Sequence, residues 1–264
     1  MCPDRRESDV SRLACGIPPA DPARSVYQWF PRQTLGTMTD PANHPEPDRD
    51  HLGRAHDLDH ERIGRGDADW DRRYADAEQV WSGEPNGALV AEVGDLDPGT
   101  ALDVGCGEGA DAIWLAGRGW RVTAIDVSDI AMQRAATAAE RSHADVDWIH
   151  AGLLDAPLPS SGFDLVSAQY PALLHTPEDD AERRLIAAVA PLGHLLVVHH
   201  ADVDIERAKA HGFDPADYVS VSDVALLLDE SWQITFDERR PRFVHSGAGS
   251  GHSHDIVLHA KRLS

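Results

Sequence analysis

Between Asp103 and Gly109 the chain reads Asp-Val-Gly-Cys-Gly-Glu-Gly. Glycine at every second position lets a backbone turn sharply and come close to a ligand. A β-like run, Ala101-Leu102-Asp103-Val104, precedes the loop, and a helix-like stretch over about 109–118 follows it. The loop therefore stands at the carboxyl end of a strand, where open α/β sheets bind their ligands. Two carboxylates narrow the chemistry. Asp103 precedes the first glycine, where a dinucleotide-binding loop is more often apolar, and it suits a cationic group. Asp126 ends the next strand-like run, 17 residues beyond Gly109, a placement that suits bonds from ribose hydroxyls. Glycines that only shape a turn would need neither acid. A nicotinamide or flavin site is the main rival, and Asp103 and the lack of recognisable hydride-transfer residues count against it.

The surrounding elements alternate. Arg121 to Ile125 reads as a second strand, and Ser128 is a good N-cap for a helix running to about Arg141. Strands are expected over 146–149, 163–168 and 195–199, with a helix from about Pro177 to Ala190 between the last two. A helical stretch near 222–229 precedes strands at about 232–238 and 254–261. Upstream, Trp70, Tyr74, Val80 and Trp81 mark an aromatic helical segment and loop, and Leu89, Val90 and Val93 a short amphipathic helix stopped near Gly94. Strand–helix alternation of this kind implies a doubly wound, mostly parallel α/β sheet. Residues 1–66 differ: eight of the 17 prolines fall within residues 1–50, among mixed charges and few periodic apolar positions. They are expected to form a flexible extension, or an arm docking through Val26, Tyr27, Trp29 and Phe30. Met38 offers a second plausible coding start. Residues 67–264 are expected to form the domain.

Forty-five acidic residues against 24 basic ones give a net charge of −21. Such a surface repels phosphate backbones and anionic lipids, which points away from nucleic acid and membrane partners and toward a small molecule. Cys2, Cys15 and Cys106 are too few and scattered for a disulfide framework or a zinc site. With no membrane-length apolar run and no secretory signal, a cytoplasmic location is expected. Oligomeric state is not legible.

The stretch Ala101–Asp126 resembles the first two cofactor motifs of the class I S-adenosylmethionine-dependent methyltransferases. The family's acid, one residue, then Gly-x-Gly-x-Gly falls on Asp103, Gly105, Gly107 and Gly109, and its ribose-binding acid on Asp126. Gly162-Phe163-Asp164-Leu165-Val166 is similar to the family's fourth strand. The lead WDRRYADAEQVWSGEPN resembles the cap helix and loop of the tellurite-resistance-like and thiopurine-like branches, and the resemblance spans roughly 67–262. It implies a Rossmann-like seven-stranded fold, mostly parallel with an antiparallel last strand, in the order 3-2-1-4-5-7-6. It also implies S-adenosyl-L-methionine as cofactor, held by Asp103, Gly105, Cys106, Gly107, Gly109, Asp126 and Val127, by Leu153 and Leu154 beside adenine, by Gln169 and Tyr170 beside the methionine part, and by Trp81. One departure stands out: the acid that many relatives place after the third strand falls on Gly152, with Asp155 the nearest carboxylate.

Methyl transfer from a sulfonium needs an aligned acceptor lone pair, exclusion of water and sometimes a base, so no obligatory catalytic motif is expected. In the implied sheet order, His199 and His200 end the fifth strand beside His252 and His254 at the start of the seventh. His175 follows the fourth. His175, His200 and His254 are the candidate bases or acceptor-orienting groups. For any one of them the plainer reading is that it caps a loop and hydrogen-bonds backbone, and His199, His200, His252 and His254 could in principle share a metal. Trp70, Tyr74 and Trp81 form either a lid over the sulfonium or a core stripe. The expected function is methyl transfer to oxygen, nitrogen, sulfur or a chalcogen of a small molecule. A non-catalytic cofactor-binding module is the alternative, and a cleft plugged by residues 239–253 would favour it.

Overall fold

The computed structural model describes residues 67–210, 213–244 and 246–264. The expectations for residues 1–66, including the docking residues Val26, Tyr27, Trp29 and Phe30, lie outside the described residues. Seven strands make one sheet: β1 Thr100–Val104, β2 Arg121–Asp126, β3 Val146–His150, β4 Phe163–Gln169, β5 Val189–His200, β6 Trp232–Pro241 and β7 His254–Arg262. Their order is β3-β2-β1-β4-β5-β7-β6. Strands β1 to β5 pair in parallel, and β7 runs antiparallel to both β5 and β6. Fold class and strand order are those expected.

Helices α1 Asp67–Ala75, α2 Gly87–Val93, α3 Ala110–Gly117, α4 Asp129–Ser142, α5 Asp180–Ala188, α6 Ile205–Ala210 and α7 Val221–Leu226 complete the description. The central strands are apolar on both faces because both are covered. On one face Ala101, Leu165, Leu196, Val198 and Val257 pack with Leu89 and Val93 of α2 and Leu115 of α3. On the other, Leu102, Val104, Val166, Val197 and Leu258 pack with Leu185 of α5 and Val224 of α7. Each such fully buried Leu or Val side chain contributes ~1.5–3 kcal/mol relative to exposure. No helix among the described residues is long and apolar enough to cross a membrane.

Local chemistry sets the boundaries. The Ser128 side chain accepts the Ala131 N–H at 3.1 Å and starts α4, and His143 ends it in the left-handed region at φ 55°. The α5 helix begins three residues later than expected. Asp179 turns left-handed at φ 54°, and the Thr176 hydroxyl accepts the Asp180 N–H at 2.8 Å, which leaves Pro177 in the turn ahead of the helix. Strand β5 extends back to Val189 through an irregular step opposite Phe163–Leu165. Helix α6 is not anticipated, since six residues with few apolar positions carry no readable period.

Candidate active site

The glycine loop leaves β1 and enters α3 across the carboxyl end of the sheet. Asp126, at the end of β2, ties it down: one carboxylate oxygen accepts the Gly107 N–H at 2.8 Å and the other the Ser128 N–H at 2.9 Å. Asp103 is buried in β1, and its Oδ2 has no hydrogen-bond partner. Gln169, at the end of β4, donates through Nε2 to Ser167 at 3.1 Å, while its Oε1 also lacks a partner. Asp103 is in register with Ser167, so Asp103, Ser167 and Gln169 project from the same face of neighbouring strands. A third carboxylate, Asp111 of α3, accepts the backbone and side-chain N–H groups of Asn86, both at 2.7 Å. Burial, followed by repulsion from Asp111 and Asp126, holds the Asp103 carboxyl well above its usual range; burial also raises Asp111 and Asp126. Buried acceptors without partners, set among several carboxyls, suit a cationic ligand. A Cβ built at Gly105 would meet nothing within 4 Å, so the loop is open there.

The α1 helix and the loop after it lie over this cradle. Trp81 donates its indole N–H to the Tyr74 hydroxyl at 2.8 Å. Gly107, at φ 51°, passes directly beneath the pair: a Cβ there would stand 2.9 Å from the Tyr74 oxygen and 3.1 Å from the Trp81 nitrogen. Tyr74 is buried, Trp70 and Trp81 pack beside it, and the Arg73 guanidinium stands over both indoles at 5.5 and 5.3 Å. The aromatic segment is thus both a packed cluster and a cover for the glycine loop. Glu108 pins it, accepting the backbone N–H groups of Val80 and Trp81 and pairing with Arg134 at 2.9 Å. Arg134 in turn donates to the carbonyls of Tyr74 and Ala77. Neither Glu108 nor Arg134 was expected at the site; the capping-loop resemblance alone pointed to a lid, and their pairing depends on how α4 packs.

The β2–β3 edge places Val127 next to Gly152, where a Cβ would reach the Val127 side chain at 3.5 Å. The Val127 carbonyl is bonded to the His150 ring at 2.8 Å. Leu153 turns into the core and Leu154 outward, so only one of the pair joins the packed interior. Cys106 sits inside the loop with its sulfur 3.7 Å from that of Met132.

The histidines do not gather into one cluster. His200 is sandwiched between Tyr170, at 4.2 Å between ring centroids, and His252, at 3.9 Å. Asp255 binds this stack, accepting from the Tyr170 hydroxyl at 2.9 Å and standing 3.3 Å from His200 Nδ1. Arg242 lies over the Tyr170 ring at 5.2 Å and donates to its hydroxyl at 3.1 Å. The other candidates lie elsewhere. His199 points to the opposite sheet face, because neighbours along a strand alternate, and burial lowers it to about 4. His175 bridges Glu182 at 3.4 Å and Asp223 at 3.5 Å. His254 is held by Ser253 and by Asp202 at 3.1 Å. A shared metal site of His199, His200, His252 and His254 is therefore not assembled, and among the described residues no group of three or more potential ligands is placed to hold one. The segment after β6 does not run free: the Ala248 N–H bonds the Val80 carbonyl at 2.8 Å, and Gly247 lies against Trp81 and Ser82.

A seven-stranded sheet with its last strand reversed, a glycine loop after β1 and an acid after β2 form the architecture that the resemblance to class I S-adenosylmethionine-dependent methyltransferases implies. Residues 101–193 match the model of a family described as a methyltransferase domain. An uncharacterised methyltransferase of Mycobacterium bovis is 39% identical over 126 residues, 47% of this chain and 62% of that protein. The chain thus spans less than two thirds of that relative's length. A structure solved in work on conversion of a disulfide bond into a thioacetal group during echinomycin biosynthesis is 25% identical, with a TM-score of 0.58 over 73% of this chain and 91% of that one. The fold is also that of 1,6-didemethyltoxoflavin-N1-methyltransferase from Burkholderia thailandensis, solved with its acceptor and S-adenosylhomocysteine: 18% identity, TM-score 0.50, 85% of this chain and 94% of that one. The chain is thus similar to methyltransferases in sequence over residues 101–193 and in fold over the sheet as a whole.

Proposed function

We propose that the chain transfers a methyl group from S-adenosylmethionine to a small-molecule acceptor. The observation that carries this reading is the anionic cradle at the ends of β1 and β4: Asp103 Oδ2 and Gln169 Oε1 lack donors beside a loop open at Gly105. The methionine ammonium would satisfy both oxygens. Asp126 would accept the ribose hydroxyls, Val127 and Gly152–Leu154 would flank adenine, and Trp81 with Tyr74 would cover the loop. The bound cofactor supplies an electrophilic methyl group on a positively charged sulfur. The chain's part is to align the acceptor, exclude water beneath the lid and take up the acceptor's proton. His200 is the group for that last task, since it borders Tyr170 at the carboxyl edge of the sheet. His175 and His254, engaged by carboxylates elsewhere, position their own loops. The fold neighbour from Burkholderia thailandensis is an N1-methyltransferase of 1,6-didemethyltoxoflavin, and the net charge of −21 favours a small-molecule acceptor over nucleic acid. We also take residues 67–264 as the domain that suffices for binding.

The test is a screen of oxygen, nitrogen, sulfur and chalcogen acceptors with S-adenosylhomocysteine release as readout. Release that depends on both acceptor and Asp126 supports the assignment. Tight cofactor binding without turnover of any acceptor favours a regulatory module.

A further inference from the structure

Strand register creates a pairing that neither residue announces in sequence. His200 ends β5 and stands opposite Asp255, the second residue of β7, and the two side chains project from one sheet face. Asp255 Oδ1 lies 3.3 Å from His200 Nδ1 and is buried. A carboxylate there accepts the Nδ1 proton and leaves the lone pair on Nε2. Tyr170 and His252 cover the two ring faces and Asp255 takes the Nδ1 edge, which leaves the Nε2 edge as the one that could meet a ligand. Nε2 hydrogen-bonds to none of the described residues. It faces Gly249, where an added Cβ would come to 3.3 Å of Nε2 and 3.5 Å of Cε1. The charged and titratable groups around the ring are Asp255 from β7, Arg242 and His252 from the segment between β6 and β7, and Tyr170 after β4.

Resting on the methyltransferase reading, we infer that Asp255 is a positioning residue that fixes His200 as the proton acceptor for a protic nucleophile: a thiol, a phenol or an N–H heterocycle that reaches the Nε2 edge beside Gly249. The acceptor heteroatom uses its electron pair to bond the methyl carbon, the carbon–sulfur pair stays on sulfur, and the heteroatom's proton passes to Nε2. Asp255 balances the imidazolium until the proton leaves to solvent. An aprotic acceptor such as a thioether needs none of this.

The test uses the full chain with ¹⁵N-labelled histidine and long-range proton–nitrogen correlation, the His200 signals being assigned by their loss in His200→Gln. The wild type is expected to show a single neutral tautomer, protonated on Nδ1. In Asp255→Asn that preference is lost and the His200 titration moves to lower pH, because the carboxylate that favours the charged ring is gone. Tyr170→Phe, which loosens the same cluster but keeps Asp255, should retain the Nδ1–H tautomer. An Nε2–H tautomer in the wild type, or an Asp255→Asn titration unchanged or moved upward, overturns the inference. Thiophenol, phenol and imidazole serve as probe acceptors: any that the wild type methylates should lose ~100-fold in His200→Gln, and a loss below threefold overturns it. Calorimetry with S-adenosylhomocysteine separates the two readings, since a wild type that fails to bind it defeats the methyltransferase assignment while leaving the tautomer result to be judged alone.

Discussion

At the proposed cradle, burial raises the carboxyls of Asp103, Asp111 and Asp126, and at Asp103 repulsion from the other two adds to it. A ligand bearing ammonium and sulfonium charges would draw them back down. Such a downward shift releases protons on binding, so affinity for S-adenosylmethionine should rise with pH. Titration calorimetry in buffers of differing ionisation enthalpy measures this directly; proton uptake would contradict it. His199 supplies the opposite kind of linkage. Its folded-state value of about 4 lies below the usual 6.5, so between those limits the unfolded chain binds the extra proton. Stability is therefore full above about pH 6.5 and falls by about 3 kcal/mol as pH drops toward 4. Urea unfolding across that range should show a shallower decline in His199→Gln. The glycines and the two aspartates were legible because their spacing is local. Which histidine meets which acid was not: His200–Asp255 and His175–Glu182–Asp223 depend on strand register and on where α5 and α7 cap, information spread over tens of residues.

Among the elements, the lid is the one most exposed to test. It is fixed to the cradle through Glu108 and Arg134 as well as through the apolar packing of Tyr74 and Val80 on Ala131. Arg134→Ala leaves the half-sealed Glu108 charge without its cation and frees two carbonyls, a loss of about 2–4 kcal/mol. Hydrogen exchange at Val80 and Trp81 should accelerate, while the β1 and β4 amides keep their protection. Equal acceleration everywhere would mean the pair holds the domain rather than the lid. Gly107→Ala drives a methyl group into the Tyr74–Trp81 hydrogen bond; the expected outcome is an opened lid, read as a shift in tryptophan emission, with weakened binding of S-adenosylhomocysteine. The aromatic spacing foretold a helix here, and the family resemblance a lid. The ion pair that holds it stayed hidden because its partners are separated by the whole of α3 and β2. The later start of α5 has a similar cause, since a left-handed Asp179 outweighs the helix-starting preference of Pro177.

For the molecule as a whole, periodicity was enough to give an α/β sheet, while the order of its strands came from the family resemblance. Apolar runs reveal which segments are strands but carry no label for their neighbours, and β7 reads no differently from a parallel strand until its register with β5 is known. That register brings Asp255 beside the carboxyl end of β5 and makes the reversed strand part of the proposed site. The central claim is that the β1 loop and Asp126 together hold the nucleoside of S-adenosylmethionine. Calorimetric titration of the full chain with S-adenosylhomocysteine, alongside Asp126→Ala, addresses it most directly. One binding site in the wild type, weakened by about 1–3 kcal/mol in the variant, is the expected result. Equal affinity in both proteins, or no binding by the wild type, would contradict it.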